Sequence, residues 1–118
     1  MNQVVLVGRL TKDPEVVDID GKKKTAIVVA VQRPFKNPDG LYETDFIRCV
    51  LWNSVATNTS EYCKGGDIIG VKGRIQTGSY EDDEKNRRYI REVIAERVSF
   101  LSNKRVEEDM KEITCIEE

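Results

Sequence analysis

The 118-residue sequence contains no histidine. Histidine is the commonest general base and a frequent metal ligand, so its absence argues against most hydrolase active sites. The three cysteines, Cys49, Cys63 and Cys115, are odd in number and include no CxxC pair, which indicates neither a zinc site nor a disulfide framework. These absences favour a protein without a metal or other cofactor in a reducing cytoplasm.

Long apolar runs are also missing from the sequence. No segment approaches the roughly 20 apolar residues that a membrane-spanning helix needs. The first ten residues, MNQVVLVGRL, lack the basic start and the cleavage site of a secretory signal. We therefore expect a single cytoplasmic domain with no membrane partner.

The formal net charge is only −2, but the charges are unevenly distributed. Residues 1–105 contain 18 Lys and Arg against 15 Asp and Glu, whereas residues 106–118 contain six acids and one lysine. The sequence predicts a mildly basic domain at 1–105, compatible with a nucleic-acid partner, and an acidic tail at 106–118. The tail is predicted to be flexible, and the alternative is an ordered helix with Met110, Ile113 and Ile116 on one side.

Five segments have the composition and alternation of β-strands. The first contains Gly8, which predicts a bulge or a close backbone approach. The first and second are apolar on both parities, which predicts that both faces are covered and favours a subunit interface. Irregular parity in the fifth predicts a bulge. The predicted strands are 4–10, continued past a bend by 15–19, then 25–31, 44–52, 67–77 and 89–101.

The segments between these strands predict turns, one loop and one helix. Asp20-Gly21 predicts a hairpin turn, residues 33–40 a loop, and residues 81–88 a charged hairpin tip. Asn53 or Ser54 is predicted to cap a short helix that runs to about residue 64. Five strands with one helix between the third and the fourth is the plan of the OB-fold, a small all-β Greek-key barrel.

The segment TDFIRCVLW, residues 44–52, predicts a strand with two unlike faces, because successive side chains on a strand point in opposite directions. One face is aliphatic, and the other carries two aromatic rings and an arginine. In the fourth strand, cations and a tyrosine again share one parity. These aromatic and cationic positions are Phe46, Arg48 and Trp52 in the third strand and Lys72, Arg74 and Tyr80 in the fourth.

A face of this kind suits unpaired bases, since aromatic rings stack on any base while Arg and Lys neutralise phosphates. It predicts binding to single-stranded nucleic acid with little sequence preference. For any one ring, packing in the core or an interface is the alternative. A second alternative is an OB-fold that serves only as a protein–protein module, but the interleaved cations argue against it. The tyrosines without neighbouring cations are interpreted as packing residues: Tyr42, Tyr62 and Tyr89.

Three charged runs each allow a functional and a structural interpretation. The acids at 81–84 could hold the metal of an enzyme, but adjacent acids on a hairpin tip are usually solvated. A metal nuclease needs carboxylates that converge from separate elements, so we predict a binding protein and not an enzyme. The basic residues 22–24, and Arg87 with Arg88, lie on loops that flank the groove of an OB-fold and are either ligand contacts or soluble turns.

Four segments resemble the bacterial-type single-stranded-DNA-binding protein family: VVLVGRLTKDPE, RPFKNPDG, TDFIRCVLW and VKGRIQTGSYEDDE. The resemblance runs from Met1 to about Leu101. It implies an OB-fold subunit, a homotetramer, and single-stranded DNA wrapped around the assembly during replication, recombination and repair. The DNA-binding residues that it implies are the aromatics Phe35, Phe46, Trp52 and Tyr80 and the cations Arg9, Lys12, Arg33, Arg48, Lys72 and Arg74.

The last residues of the sequence depart from the family pattern. Members usually continue through a linker rich in Gly, Pro and Gln to an acidic tip that ends in Asp-Phe-Pro-Phe or close to it. Here residues 106–118 are acidic but contain no aromatic residue and no proline. Recruitment of replication and repair proteins is therefore in doubt. The pattern leaves open a naturally short member, such as one carried by a phage or mobile element, or a truncated one.

Overall fold

The computed structural model describes residues 1–102. The predictions for the acidic tail at 106–118, including its helical alternative, lie outside the described residues. Within residues 1–102, no helix has the length and apolar character needed to cross a membrane. The elements are β1 (Val4–Leu10), β2 (Val17–Ile19), β3 (Lys22–Lys36), β4 (Tyr42–Trp52), α1 (Asn53–Tyr62), β5 (Ile68–Glu81) and β6 (Arg87–Ser102).

Five of these strands close into a barrel. β1 pairs antiparallel with β5 on one side and with β3 on the other. β3 pairs antiparallel with β4, and β5 with β6, while a short parallel pairing of β4 with β6 completes the ring. The helix α1 connects β4 to β5, which are the third and fourth predicted strands. The predicted all-β OB-fold barrel is confirmed.

The barrel interior is filled by the inward-pointing residues of each strand. On β4, Cys49 and Leu51 are fully buried, as the alternation in TDFIRCVLW predicts, but Val50 of the opposite parity is buried as well. Ala56 of α1 packs on the same cluster. The core consists of Leu10, Ile27, Val29, Cys49, Leu51, Ala56, Cys63, Ile69, Val71, Val93 and Ala95.

Gly8 lies where β1 comes closest to β3. A Cβ atom built at this position would be 2.4 Å from the carbonyl oxygen of Ala30, so no side chain fits and the predicted close approach is confirmed. The expected continuation of the first strand is instead a separate strand, β2, which pairs with β3. Asp20 and Gly21 connect them with φ of 52° and 82°, as a hairpin turn of type I′ requires.

A β-bulge interrupts the pairing of β5 with β6, as the irregular parity of the fifth strand predicts. Lys72 pairs with Arg97, and the next residue, Gly73, pairs with Ala95. Glu96 is therefore the extra residue on β6. A bulge of this kind increases the local twist of a strand and re-aims the side chains beyond it.

The prediction of a loop at residues 33–40 is wrong for its first half. β3 continues to Lys36, and only the residues that follow form the turn. The side-chain oxygen of Asn37 accepts hydrogen bonds from the backbone N–H groups of Asp39 and Leu41 at 3.0 and 2.9 Å. This side chain closes a tight turn from Asn37 to Leu41, which contains Pro38, at the end of a long two-stranded arm.

The predicted helix cap is also wrong. Trp52 occupies the N-cap position, and no side chain makes a cap hydrogen bond there. Asn53 has φ of 55°, so it forms the left-handed step from strand to helix, and Ser54 lies inside the helix. The helix ends at Tyr62, slightly before the predicted position.

Within a single chain, the residues at 25–31 are covered on one face only. Ile27 is buried, but Val28 is exposed on the opposite face of β3. On β1, Val5 and Val7 are exposed in the same way. A single chain therefore leaves the second face of these strands uncovered, and its coverage by a subunit interface stays a proposal.

Candidate nucleic-acid interface

The outer face of β3 and β4 carries the predicted aromatic residues. Cross-strand pairing places Phe46 beside Ala30, which in turn pairs with Arg9 of β1. Because directly paired residues share a face, Arg9, Ala30 and Phe46 form one row across three strands. The side chain of Phe46 is 68% exposed, so the core does not need its ring.

Trp52 lies at the other end of β4, where the strand meets α1. It pairs with Lys24 of β3, and the Lys24 ammonium lies over the indole, 5.2 Å from the ring centroid. This is the geometry of a cation–π contact. Trp52 is half-buried, so one part of its ring packs on the protein and the rest is available to a ligand.

Two further aromatic residues lie on the hairpin arms. Phe35, near the end of β3, is 63% exposed, and Tyr80, near the end of β5, is 54% exposed. Tyr80 pairs with Arg88 of β6. The structure therefore places all four predicted stacking residues at least partly at the surface, two on the barrel and two on its extensions.

The cation Arg48 is on the same outer face as Phe46 and Trp52. It pairs with Val28 of β3, and its Nε lies 3.6 Å from a carboxylate oxygen of Glu92 on β6. The Glu92 side chain is only 18% exposed. An acid therefore lies inside the candidate face and partly neutralises its central cation.

Arg74 reaches this face from β5. It pairs with Ile94, which also pairs with Val50 of β4, so Arg74 and Val50 lie in one row. The Arg74 Nη1 donates a hydrogen bond of 2.8 Å to the side-chain oxygen of Gln76. Within residues 1–102 its side-chain hydrogen-bond partner is thus a neutral amide, which leaves its charge uncompensated there.

Arg33 is half-buried on the β3–β4 arm and is bonded to two acids. Its Nε and Nη2 donate to the carboxylate of Asp45 at 3.2 and 2.9 Å, and its Nη1 donates to Glu43. The hydrogen bond with Asp45 is the main reason that the pKa of Arg33 is raised, and the same contact lowers the pKa of Asp45. This predicted phosphate contact is therefore already engaged.

The remaining predicted cations lie around the face at different places. Arg9, which lies in the row with Phe46, donates to the backbone carbonyl of Gly66. Lys12 follows β1 and lines an open groove of about 550 Å³ together with Ala26 and Val28.

Lys72 is not brought to the aromatic row of β4. Although Lys72 and Arg74 share a parity in the sequence, Lys72 pairs with Val5 of β1 and with Arg97 of β6. The bulge at Glu96 lies between the pair Lys72–Arg97 and the pair Arg74–Ile94, and it separates the surroundings of the two cations. Lys72 therefore lies on the part of the outer surface next to β1.

Sequence reasoning treated residues 22–24 as one undivided basic run, whereas the structure separates them. Lys24 covers the ring of Trp52, and Lys23 instead forms an ion pair of 2.8 Å with Asp18. The sequence names Lys24 only as one of three possible contacts and does not distinguish it from Lys22 and Lys23. Counting back from the β3–β4 hairpin would have placed it opposite Trp52, but only once the register of that hairpin was known.

The tyrosines interpreted as packing residues behave differently from one another. Tyr62 packs against Phe100 at 5.7 Å between ring centroids, and Tyr42 lies under the Lys36 ammonium at 5.8 Å. Tyr89 is exposed and paired with Ser79, on the face of the hairpin opposite to that of Tyr80. Packing within the chain is therefore confirmed only for Tyr62.

The acids at 81–84 organise a turn. The Asp82 carboxylate accepts hydrogen bonds from the backbone N–H groups of Glu84 and Asn86 and from the Nε of Arg88. These contacts, the one with Asn86 first, lower the pKa of Asp82. Across residues 1–102, no three Cys, Asp or Glu side chains come close enough together to hold a metal ion.

Comparison with known proteins places this arrangement in a family. The chain is 47% identical over 104 residues to single-stranded DNA-binding protein B of Bacillus subtilis, covering 87% of this chain and 92% of that protein. It is 49% identical over 105 residues to single-stranded DNA-binding protein 3 of Listeria innocua, covering 88% of this chain but only 66% of that protein. A protein of Clostridium acetobutylicum, single-stranded DNA-binding protein 1, is 40% identical over 89% of this chain and 97% of its own length.

The chain thus spans less than two thirds of the length of several of its relatives. The relatives are named as DNA-binding proteins and not as enzymes, which confirms the prediction of a binding protein. Residues 1–101 match the single-strand binding protein family. The chain belongs to the single-strand binding protein family.

Proposed function

We propose that the protein binds single-stranded DNA with little sequence preference, by stacking bases on exposed aromatic rings. The proposed stacking residues are Phe35, Phe46, Trp52 and Tyr80. Stacking is worth about 1–3 kcal/mol per base and needs no hydrogen-bond code, because every base has a π-face. The relatives described above, which are named as single-stranded DNA-binding proteins, support this ligand.

The observation that carries the proposal is the exposure of Phe46 in the middle of a barrel strand. A ring at 68% exposure stabilises the fold little, yet it lies in one row with Arg9 and two residues from Arg48. An exposed ring between guanidinium groups offers a base a stacking surface and offers the adjoining phosphate a cation.

The predicted cations differ in whether a protein group already binds the side chain that would contact a phosphate. Within residues 1–102 neither Arg74 nor Lys12 forms an ion pair, although Asp13 and Glu15 line the groove beside Lys12, and we assign both cations to phosphate contacts. Arg48 would exchange Glu92 for a phosphate, and Arg9 would exchange a carbonyl. Lys72, next to β1, would contact DNA that passes around the side of the barrel.

The proposed cellular role is protection of single-stranded DNA in the bacterial cytoplasm during replication, recombination and repair. Exposed Val5 and Val7 on β1 support assembly of several chains, and a homotetramer is the form that family resemblance favours. Residues 106–118 contain no aromatic residue, and we do not assign the recruitment of replication and repair proteins to them.

The test of the proposed function is binding of oligo(dT) compared with a duplex of equal length at the same salt concentration. Oligo(dT) is expected to bind much more tightly, because duplex bases are already stacked and cannot face the rings. Equal affinity for the two ligands, or no binding to oligo(dT) at low salt, would contradict the proposal.

We propose that residues 1–105 form the DNA-binding domain. We also propose that the acidic residues 106–118 compete weakly with DNA phosphates for the cations of that domain. Tethering keeps the effective concentration of such a competitor high. Deletion of residues 106–118 should raise the affinity for oligo(dT) at low salt, and the gain should fade as salt screens the charges. A lower melting temperature or a broken oligomer, with no gain in affinity, would instead support an ordered tail.

A further inference from the structure

The β3–β4 arm contains an interruption in its backbone pairing next to Phe35. Gln32 pairs with Thr44, and the next pair along the arm is Lys36 with Tyr42. Three residues of β3, 33–35, therefore lie opposite a single residue of β4. One of the three is a proline, which has no N–H to donate. Backbone hydrogen bonds thus restrain the position of Phe35 only weakly.

The side chain of Arg33 spans this interruption. Two of its nitrogens donate to Asp45, on one side of the unpaired stretch, and a third donates to Glu43, the residue that faces the stretch. The planar fork of an arginine fits a carboxylate in a fixed orientation, which makes such bonds directional as well as strong. The ion pairs of Arg33 therefore connect β3 to β4 at residues 33–35, where the two strands have no backbone pairing.

The charge balance of this cluster is unfavourable for a phosphate. One guanidinium is shared by two carboxylates, so the group of three side chains carries a net charge of −1. A phosphate at Arg33 would have to displace a bidentate carboxylate and approach a second one. Arg74 differs, because its bonded partner is the neutral side chain of Gln76.

We propose that Arg33 is a positioning residue for Phe35 and does not contact phosphate. Through Asp45 and Glu43 it holds the bulged part of β3 against β4, and the orientation of the Phe35 ring follows from that contact. This inference rests on the proposed function, since it assigns Phe35 to base stacking. It separates Arg33 from the other cations of the interface.

The first test compares the salt dependence of oligo(dT) binding for Arg33→Gln and Arg74→Gln. A lost phosphate contact flattens the plot of log affinity against log salt by about 0.7 for single strands. Arg74→Gln is expected to show this change. Arg33→Gln is expected to weaken binding with the slope unchanged, by no more than Phe35→Ala, for which a lost stack predicts a drop of about 5- to 150-fold. A slope lowered by about 0.7 in Arg33→Gln would overturn the inference.

The second test substitutes Asp45, which binds Arg33, and Phe35, whose ring Arg33 is proposed to position. Asp45→Asn is expected to weaken binding as Arg33→Gln does, because the same restraint is lost. If Arg33 contacted phosphate, Asp45→Asn would free it and tighten binding, which is the contradicting result. In a Phe35→Ala background, Arg33→Gln is expected to have no further effect, and additive losses would also overturn the proposal.

The third test needs no DNA. Hydrogen exchange of the backbone amides at 41–46 in the free protein should become faster in Arg33→Gln, while the amides of the closed barrel remain protected. Unchanged exchange along the arm would refute the positioning role. Absence of oligo(dT) binding by the unsubstituted protein would refute the proposed function, and the exchange measurement would still decide whether Arg33 restrains the arm.

Discussion

Replacement of Phe46 by alanine separates base stacking from core packing, because β4 offers a matched residue on its other face. Phe46 is 68% exposed on the outer face, whereas Leu51 of the same strand is 0% exposed on the inner face. Phe46→Ala should therefore reduce binding and spare the fold, and Leu51→Ala should do the reverse.

The expected magnitudes follow from these exposures. Full burial of a phenylalanine is worth about 1.5–3 kcal/mol, so with about a third of the side chain buried, Phe46→Ala should cost about 0.5–1 kcal/mol of stability. At about 4–8 °C per kcal/mol, the melting temperature should fall by about 2–8 °C. Leu51→Ala creates a cavity in a packed core and should cost about 2–5 kcal/mol.

The assay is thermal unfolding at a fixed protein concentration, followed by titration with oligo(dT) at several salt concentrations. Phe46→Ala should lose about 1–3 kcal/mol of binding free energy, about 5- to 150-fold in affinity, with the salt slope nearly unchanged. Tyr89→Ala is the aromatic control, since Tyr89 is exposed on the hairpin face opposite to Tyr80 and should not affect binding. If Phe46→Ala unfolds as Leu51→Ala does, or if it folds and binds normally, the ring is a packing residue and the reasoning fails.

Three further results are expected. Saturating oligo(dT) should change the emission of Trp52, the only tryptophan, and unchanged emission would mean that no base stacks there. Gly73→Ala should destabilise the barrel severely, because the new Cβ would lie 2.1 Å from the carbonyl oxygen of Ile94, and a normal melting temperature would contradict the close approach. Burial raises the pKa of the Cys49 and Cys63 thiols from 9.0 to about 11. As the pH rises, the thiols of the unfolded chain therefore ionise before those of the folded chain. The free energy of unfolding should be highest below pH 9 and should fall as the pH rises to about 11. Replacement of both thiols by alanine should flatten that part of the pH profile of unfolding.

The features that sequence predicts well are those set by neighbouring residues. The alternation in residues 44–52 identifies the buried Cys49 and Leu51 and the exposed Phe46, because the two-residue period of a strand is local. The turn at Asp20-Gly21 is equally local, since its two residues are the ones that tolerate positive φ.

The features that sequence reasoning misses depend on partners far along the chain. Residues 33–40 resemble a loop in sequence because they contain two prolines and a glycine, yet residues 33–36 continue β3 and the Asn37 side chain closes the hairpin. Lys72 shares the parity of Arg74, but its neighbours are set by pairing with β1 and by a bulge in β6. Neither fact can be read from β5 alone.

The ion pairs are the least predictable part of the candidate site, and they reduce the charge that its cations offer to a phosphate. Arg48 lies against Glu92, Arg33 against Asp45 and Glu43, and both contacts join different strands.

Each paired cation can gain a phosphate only by giving up a carboxylate, so its net contribution to affinity is smaller than its charge indicates. Residues 1–105 carry a net charge of only +3, which leads to the same conclusion for the domain as a whole. Under the proposed function, we therefore expect most of the binding free energy to come from the exposed rings. For that reason, the arms that carry Phe35 and Tyr80 matter as much to the proposed function as the barrel that carries Phe46 and Trp52.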